Sequence, residues 1–130
     1  MNTKLLRKIQ NHILAEPKRL DMGIFIVRKE NHRKLEVQLL HDYPKCGTVG
    51  CIAGWAVTLS TKEKVPYGKI QARAAALLDI TEPQAERLFY ETFWPAKFQE
   101  QLENSDEQTR AHARATSARI DHFIKTKGVE

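Results

Sequence analysis

The sequence predicts a mostly α-helical fold: one domain over residues 1–130, a compact bundle of about five helices around a buried central helix at residues 49–60. Three observations carry that prediction. Apolar residues recur at helical spacing along the chain, beginning with Leu5, Leu6, Ile9 and Ile13. Ile52, Ala53, Trp55, Ala56, Val57 and Leu59 are apolar nearly all round, the mark of a helix sunk in a core rather than lying on it. Thr81 with Gln84, and Ser105 with Gln108, carry the capping-box spacing that opens a helix. With 130 residues, 42% of them hydrophobic and 28% charged, the chain suits one globular domain that buries roughly two thirds of its unfolded surface.

Taken in order, residues 3–16 form an amphipathic helix that Pro17 stops. Gly23 to Val27 is β-branched and aromatic, and Leu35 to Leu39 alternates apolar with polar, so a small β-hairpin fits residues 23–40. A helix starting near Met22 is the alternative, since it would also bury Phe25 and Ile26. After the central helix, Val65-Pro66-Tyr67-Gly68 breaks the chain, and Ile70, Ala74, Leu77 and Leu78 mark the next apolar stripe. Thr81, with Pro83 in the first turn, starts a helix whose inner face is Ala85, Leu88 and Phe89. Phe93-Trp94-Pro95 closes it and leads into a short helix carrying Phe98 and Leu102. A long last helix is expected over residues 106–126, started at Ser105 and ended by Gly128.

The net charge is +5 and unevenly spread. Residues 1–34 hold nine Lys/Arg against Glu16, Asp21 and Glu30, an excess of six, so the rest of the chain is close to neutral. Such a basic end attracts an acidic protein, nucleic acid or nucleotide if its side chains share a face, and is otherwise a solvated surface. No apolar run reaches the ~18 residues of a membrane span. The N-terminal segment has no secretion-signal pattern, and two cysteines are too few for a disulfide scaffold. A cytoplasmic protein with reduced thiols, no cofactor and no membrane partner is expected.

The most constrained stretch is Cys46-Gly47-Thr48-Val49-Gly50-Cys51-Ile52-Ala53-Gly54-Trp55-Ala56, where two thiols, three glycines and an indole converge on a loop-to-helix junction. With Thr48 as N-cap, Cys51 falls at the third helical position and pairs with Trp55 one turn on. Packing alone accounts for inert thiols there. A helix start beside Lys45 can also lower a thiol pKa, which leaves a Cys46–Cys51 disulfide or redox pair, or a catalytic cysteine, as alternatives. No base or orienting acid stands at a telling spacing from either cysteine, so no catalytic residue is assigned. His41, Cys46 and Cys51 supply three spaced metal ligands where structural zinc wants four.

The free backbone N–H groups of Gly47, Thr48 and Gly50, with Lys45 beside them and Trp55 behind, also suit a phosphate or nucleotide, although the spacing fits neither the Walker nor the dinucleotide pattern. The helix pair from Gln71 to Phe89 has helix-turn-helix length. Its second helix, however, offers Glu82 and Glu86 against one cation, Arg87, where a duplex would want positive charge.

The central motif resembles a group of short proteins encoded in bacterial and bacteriophage genomes. That group shares a Cys-Gly-Thr-x-x-Cys-Ile-Ala-Gly-Trp/His-Ala core, preceded by an Asp-Met pair, here Asp21-Met22. A Thr-x-x-Gln-Ala-x-x-Leu-Phe helix, here Thr81 to Phe89, and a closing Arg-Ile-x-x-Phe-Ile, here Arg119 to Ile124, extend the similarity over most of the chain. It implies a shared fold and a mobile-element setting and carries over no activity. Segment 23–42 is longer than the group's usual spacing. The function expected first is therefore a non-enzymatic accessory protein that binds an acidic protein or nucleic acid through Lys18, Arg19, Arg28, Lys29, Arg33 and Lys34. A nucleotide pocket at Gly47–Gly50 comes second and a cysteine-dependent enzyme third.

Overall fold

Leu5, Leu6, Ile9 and Ile13 share one side of the first helix, α1 (Thr3–Ala15), and all four are buried against the rest of the chain. Asn2 caps α1 by accepting the N–H of Leu5, and Glu16 and Pro17 end it. The computed structural model describes residues 1–28, 33–34, 48–62 and 65–130, with the backbone alone at 26–28, 33–34 and 48. The structure is mostly helical, with six α-helices among the described residues.

A short turn of 3-10 helix (Pro17–Arg19) carries the chain to Leu20, after which Asp21 Oδ1 accepts the Gly23 N–H at 2.8 Å and turns it back. Strand β1 (Ile26–Arg28) then lies between β2 (Arg33–Lys34) and β3 (Thr48–Gly50). Val27 faces Lys34 and Arg28 faces Arg33 on one side, both antiparallel, while Ile26, Val27 and Arg28 face Gly50, Val49 and Thr48 on the other.

The central helix α2 runs Ile52–Ser60, three residues shorter at its start than the sequence predicts. Thr48 is therefore no N-cap. Thr48 and Val49 are β-branched and Gly50 is a poor helix former, so the three take the extended backbone that pairs with β1, and the helix begins where that ladder ends. Cys51 stands in the N-cap position, extended at φ −85° and ψ −177°. The six residues from Ile52 to Val57 are all buried, which makes α2 the core element that its all-round apolar sequence implies.

Helix α2 packs against α1, α3 (Ile70–Leu78) and α4 (Glu82–Phe89). Asp79 ends α3 in the left-handed region at φ 53°, a place an aspartate tolerates better than a larger side chain. Thr81 then forms the full capping box with Gln84. Trp94, buried with its indole N–H on the Leu88 carbonyl at 2.9 Å, fixes the corner into α5 (Ala96–Glu103).

The last helix, α6 (Arg110–Lys125), starts four residues later than expected. Thr109, not Ser105, caps it, because the Ser105 hydroxyl is spent on the Leu102 carbonyl at 2.8 Å. At its other end the Gly128 N–H reaches the Phe123 carbonyl and the Lys127 N–H that of Ile124, a Schellman turn in which Lys127 takes φ 55° and Gly128 follows at φ 73°. One cluster of buried apolar residues draws on all six helices.

Candidate functional site

The α2 start is closed by backbone rather than open to a ligand. The Cys51 N–H donates to the Ile24 carbonyl at 3.0 Å, the Gly50 carbonyl accepts the Asp21 N–H, and Leu20 bridges to Gly50 in parallel register. Of the residues expected to cradle an anion, Lys45 and Gly47 lie outside the described residues, and Thr48 and Gly50 belong to the β1–β3 ladder. Trp55 cannot line an open pocket: it is 1% exposed and its indole N–H donates to the Arg19 carbonyl at 2.8 Å.

Cys51 is a free and buried thiol. Burial pushes its pKa up to about 11, outweighing the backbone N–H groups of Gly54 and Ala53 that favour the thiolate. The helix start thus does not lower it, because desolvation is the larger effect. His41 and Cys46 lie outside the described residues, and among the described residues no group of three or more His, Cys, Asp or Glu comes together.

A cluster the sequence did not signal sits under α1. The His12 ring meets the Trp55 ring edge-on, with centroids 4.2 Å apart. Arg19 lies over it, its Nη1 3.1 Å from the His12 carbonyl and 3.3 Å from His12 Nδ1. A guanidinium only donates, so Nδ1 accepts and the ring proton resides on Nε2, which is buried without a partner. Burial, then the charges of Arg19 and Lys8, bring the His12 pKa down to about 4. Arg19 is thereby a structural clamp on His12 rather than a surface cation.

The remaining basic residues make a surface shared by two helices. Lys4 and Arg7 are exposed on α1 and Lys18 just beyond it, whereas Lys8 turns its ammonium to the Leu59 carbonyl at 3.1 Å. Helix α6 runs antiparallel alongside: Arg7 pairs with Asp121, buried Gln10 donates to the Ser117 carbonyl at 2.9 Å and to Asp121 at 3.0 Å, and Gln108 donates to the Lys18 carbonyl. Arg110 and Arg114, both exposed, fall four and three residues before Arg114 and Ser117, on the side of α6 that meets α1. Their spacing with Ser117 and Asp121 was the available signal, but only the α1–α6 contact joins them to the basic N-terminal region.

Arg28, Arg33 and Lys34 sit in the ladder, with Arg28 the register partner of Arg33, and Lys29 lies outside the described residues. The helix pair α3–α4 offers no basic reading head: Arg87 donates to the Gly128 carbonyl at 2.7 Å. Of the apolar residues near Pro95, Phe93 is 58% exposed, whereas Trp94 and Phe98 are buried, so they offer no joint surface. Comparison with protein-family models, with curated proteins and with solved structures finds no match. No helix among the described residues is long and apolar enough to cross a membrane.

Proposed function

We propose that the protein is a non-enzymatic accessory protein, of the kind bacteria and bacteriophages carry, that binds an acidic protein or nucleic acid on a basic face. The observation that carries this is the seam between α1 and α6, where Lys4, one turn before Arg7, and Lys18, Arg110 and Arg114 are exposed and Asp121 is already paired to Arg7. Cations gathered from two helices, with Asp121 between them already paired, favour an anionic surface over bulk water. Arg28 and Arg33, register partners in β1 and β2, add two basic residues to the chain's positive charge. The phage or bacterial setting is supported by the resemblance of the Cys46–Ala56 core.

Binding of labelled duplex DNA and of poly-glutamate, followed by fluorescence anisotropy at rising salt, tests this reading. Affinity for the true class of partner should fall at least tenfold between roughly 50 and 200 mM salt. The variant Lys4→Glu, Lys18→Glu, Arg110→Glu, Arg114→Glu should lose binding while unfolding at nearly the wild-type temperature, since exposed positions outside the core contribute little and acids are tolerated in a first helical turn. Undiminished binding by that variant, or indifference to salt for both probes, rejects the basic face as the contact.

A further inference from the structure

Arg119 is the most deeply buried charge of the described residues, with no exposed surface. Its Nη1 donates to Glu130 Oε1 at 2.7 Å and its Nη2 lies 2.5 Å from Oε2, the two-pronged match of guanidinium to carboxylate. Nη2 also donates to the Arg87 carbonyl at 2.9 Å. The rings of Trp94, Phe98 and Phe123 stand 5.8, 5.9 and 5.6 Å from the guanidinium carbon and wall the site.

Two features go beyond an ion pair that merely fills a core. The charges do not balance: the guanidinium of Arg87 acts on Arg119 as a like charge, and Glu130 is the carboxylate that acts on it. Nε of Arg87 and Nε of Arg119 are both buried without a hydrogen-bond partner. The site therefore holds more positive charge and more donors than its one carboxylate uses. Moreover, that carboxylate arrives on residues past the end of α6, held by Arg87 on the Gly128 carbonyl, by Gln84 on the Lys127 carbonyl at 3.3 Å and by the Thr126 hydroxyl, which donates to Glu130 Oε1 at 3.4 Å. Detaching it breaks the Schellman bond from the Gly128 N–H to the Phe123 carbonyl but leaves the preceding turns of α6 in place, and chain beyond a helix end is where local opening is cheapest.

We propose that Arg119 and its aromatic walls form a carboxylate-binding pocket that Glu130 occupies in cis. A ligand carboxylate, from a small organic acid or from an acidic side chain of a peptide, enters when residues 128–130 swing away. The tethered Glu130 competes with an effective concentration on the order of millimolar, so wild-type protein answers only to ligands that add contacts of their own. The pocket is independent of the α1–α6 basic face.

The test is Glu130→Gln in the full chain, which keeps the shape and removes the charge. Its melting temperature is followed with sodium propionate, and separately with a short glutamate-containing peptide, against sodium chloride of equal ionic strength. The variant should melt several degrees below wild type, and propionate should restore most of the loss in a saturable manner. Adding Arg119→Met should abolish the response. A lower half-saturation for the peptide than for propionate would name a peptide as the source, and the reverse a small acid. If propionate and the peptide raise the melting temperature no more than chloride does, the pocket does not exist. Should the variant fail to fold, wild-type protein is titrated with glutarate under 15N NMR. Saturable shifts of the Lys127 to Glu130 amides uphold the pocket, and amides that stay fixed overturn it.

Discussion

Acidification should destabilise this protein through His12. The ring is neutral in the fold, with Arg19 donating to Nδ1, Trp55 against its face and Lys8 nearby, so a second proton is opposed by burial and by two cations. Its pKa falls from 6.5 to about 4, whereas the unfolded chain keeps the ordinary value. Between those two values the unfolded state binds more protons than the folded one, so stability declines as pH drops through that window and is level above it. A fully buried ring would lose about 3 kcal/mol across the window; the half-buried ring, open to solvent on one side, should lose about 1–2 kcal/mol. Asp121, lowered first by its hydrogen bond from Gln10, contributes stability that is lost only as pH falls below the ordinary carboxylate range, largely beneath the histidine window. The assay is urea unfolding followed by tryptophan fluorescence from about pH 7 to about pH 4.5, for wild type and for His12→Phe. The variant keeps a ring against Trp55 and cannot titrate, so its curve should be flatter than wild type by that 1–2 kcal/mol. Parallel pH curves for the two proteins would refute the account of His12.

Gly128→Ala should cost about 1–3 kcal/mol in a denaturant melt, because the residue sits at φ 73° and an added Cβ would come within 2.7 Å of Gln84 Nε2 and 3.1 Å of Phe123 Cζ. A loss below a few tenths would mean the Schellman turn relaxes freely. Cys51 should resist a mild thiol reagent in the native state and react on unfolding, as read by mass mapping of its peptide, since a pKa of about 11 leaves almost no thiolate at neutral pH. Cys51→Ala should lower stability by about 1–2 kcal/mol, and rapid native labelling would contradict the buried thiol.

What the sequence made legible were features governed by neighbours a few residues apart. The α1 stripe, the Thr81–Gln84 capping box and the apolar run of α2 all depend on local spacing, and all three stand in the fold. The start of α2 lies later than periodicity predicts because Thr48 to Gly50 are claimed by β1, twenty or more residues away, a competition that periodicity does not display. Ser105 carries the capping-box spacing, yet in the fold its hydroxyl goes to the Leu102 carbonyl and Thr109 caps α6 instead, a choice that spacing does not display. The charge bias toward residues 1–34 was visible, but its functional sorting was not. Arg19 is diverted to His12, and Arg110 and Arg114 join the face only because α6 lies along α1. Arg119 shares the inward stripe of α6 with Thr116, Ile120 and Phe123, and a charge on that side must find a counterion inside.

The rotation of α6 is what couples the two surfaces of interest. Gln10 is 4% exposed and satisfies its amide on the Ser117 carbonyl, on Ser117 Oγ and on Asp121. Turning α6 by one residue would strand that buried amide, a loss of about 1–3 kcal/mol that no apolar contact restores. The same rotation fixes Arg114 outward and Arg119 inward, five residues and about 140° apart around the helix. A polar lock on the α1–α6 seam thus holds the basic face in place and at the same time commits a guanidinium to the core, where Trp94, Phe98 and Phe123 surround it. Once Arg119 is inside, desolvation makes an unpaired state costly, so a carboxylate must meet it, and Glu130 from beyond the helix end does so here.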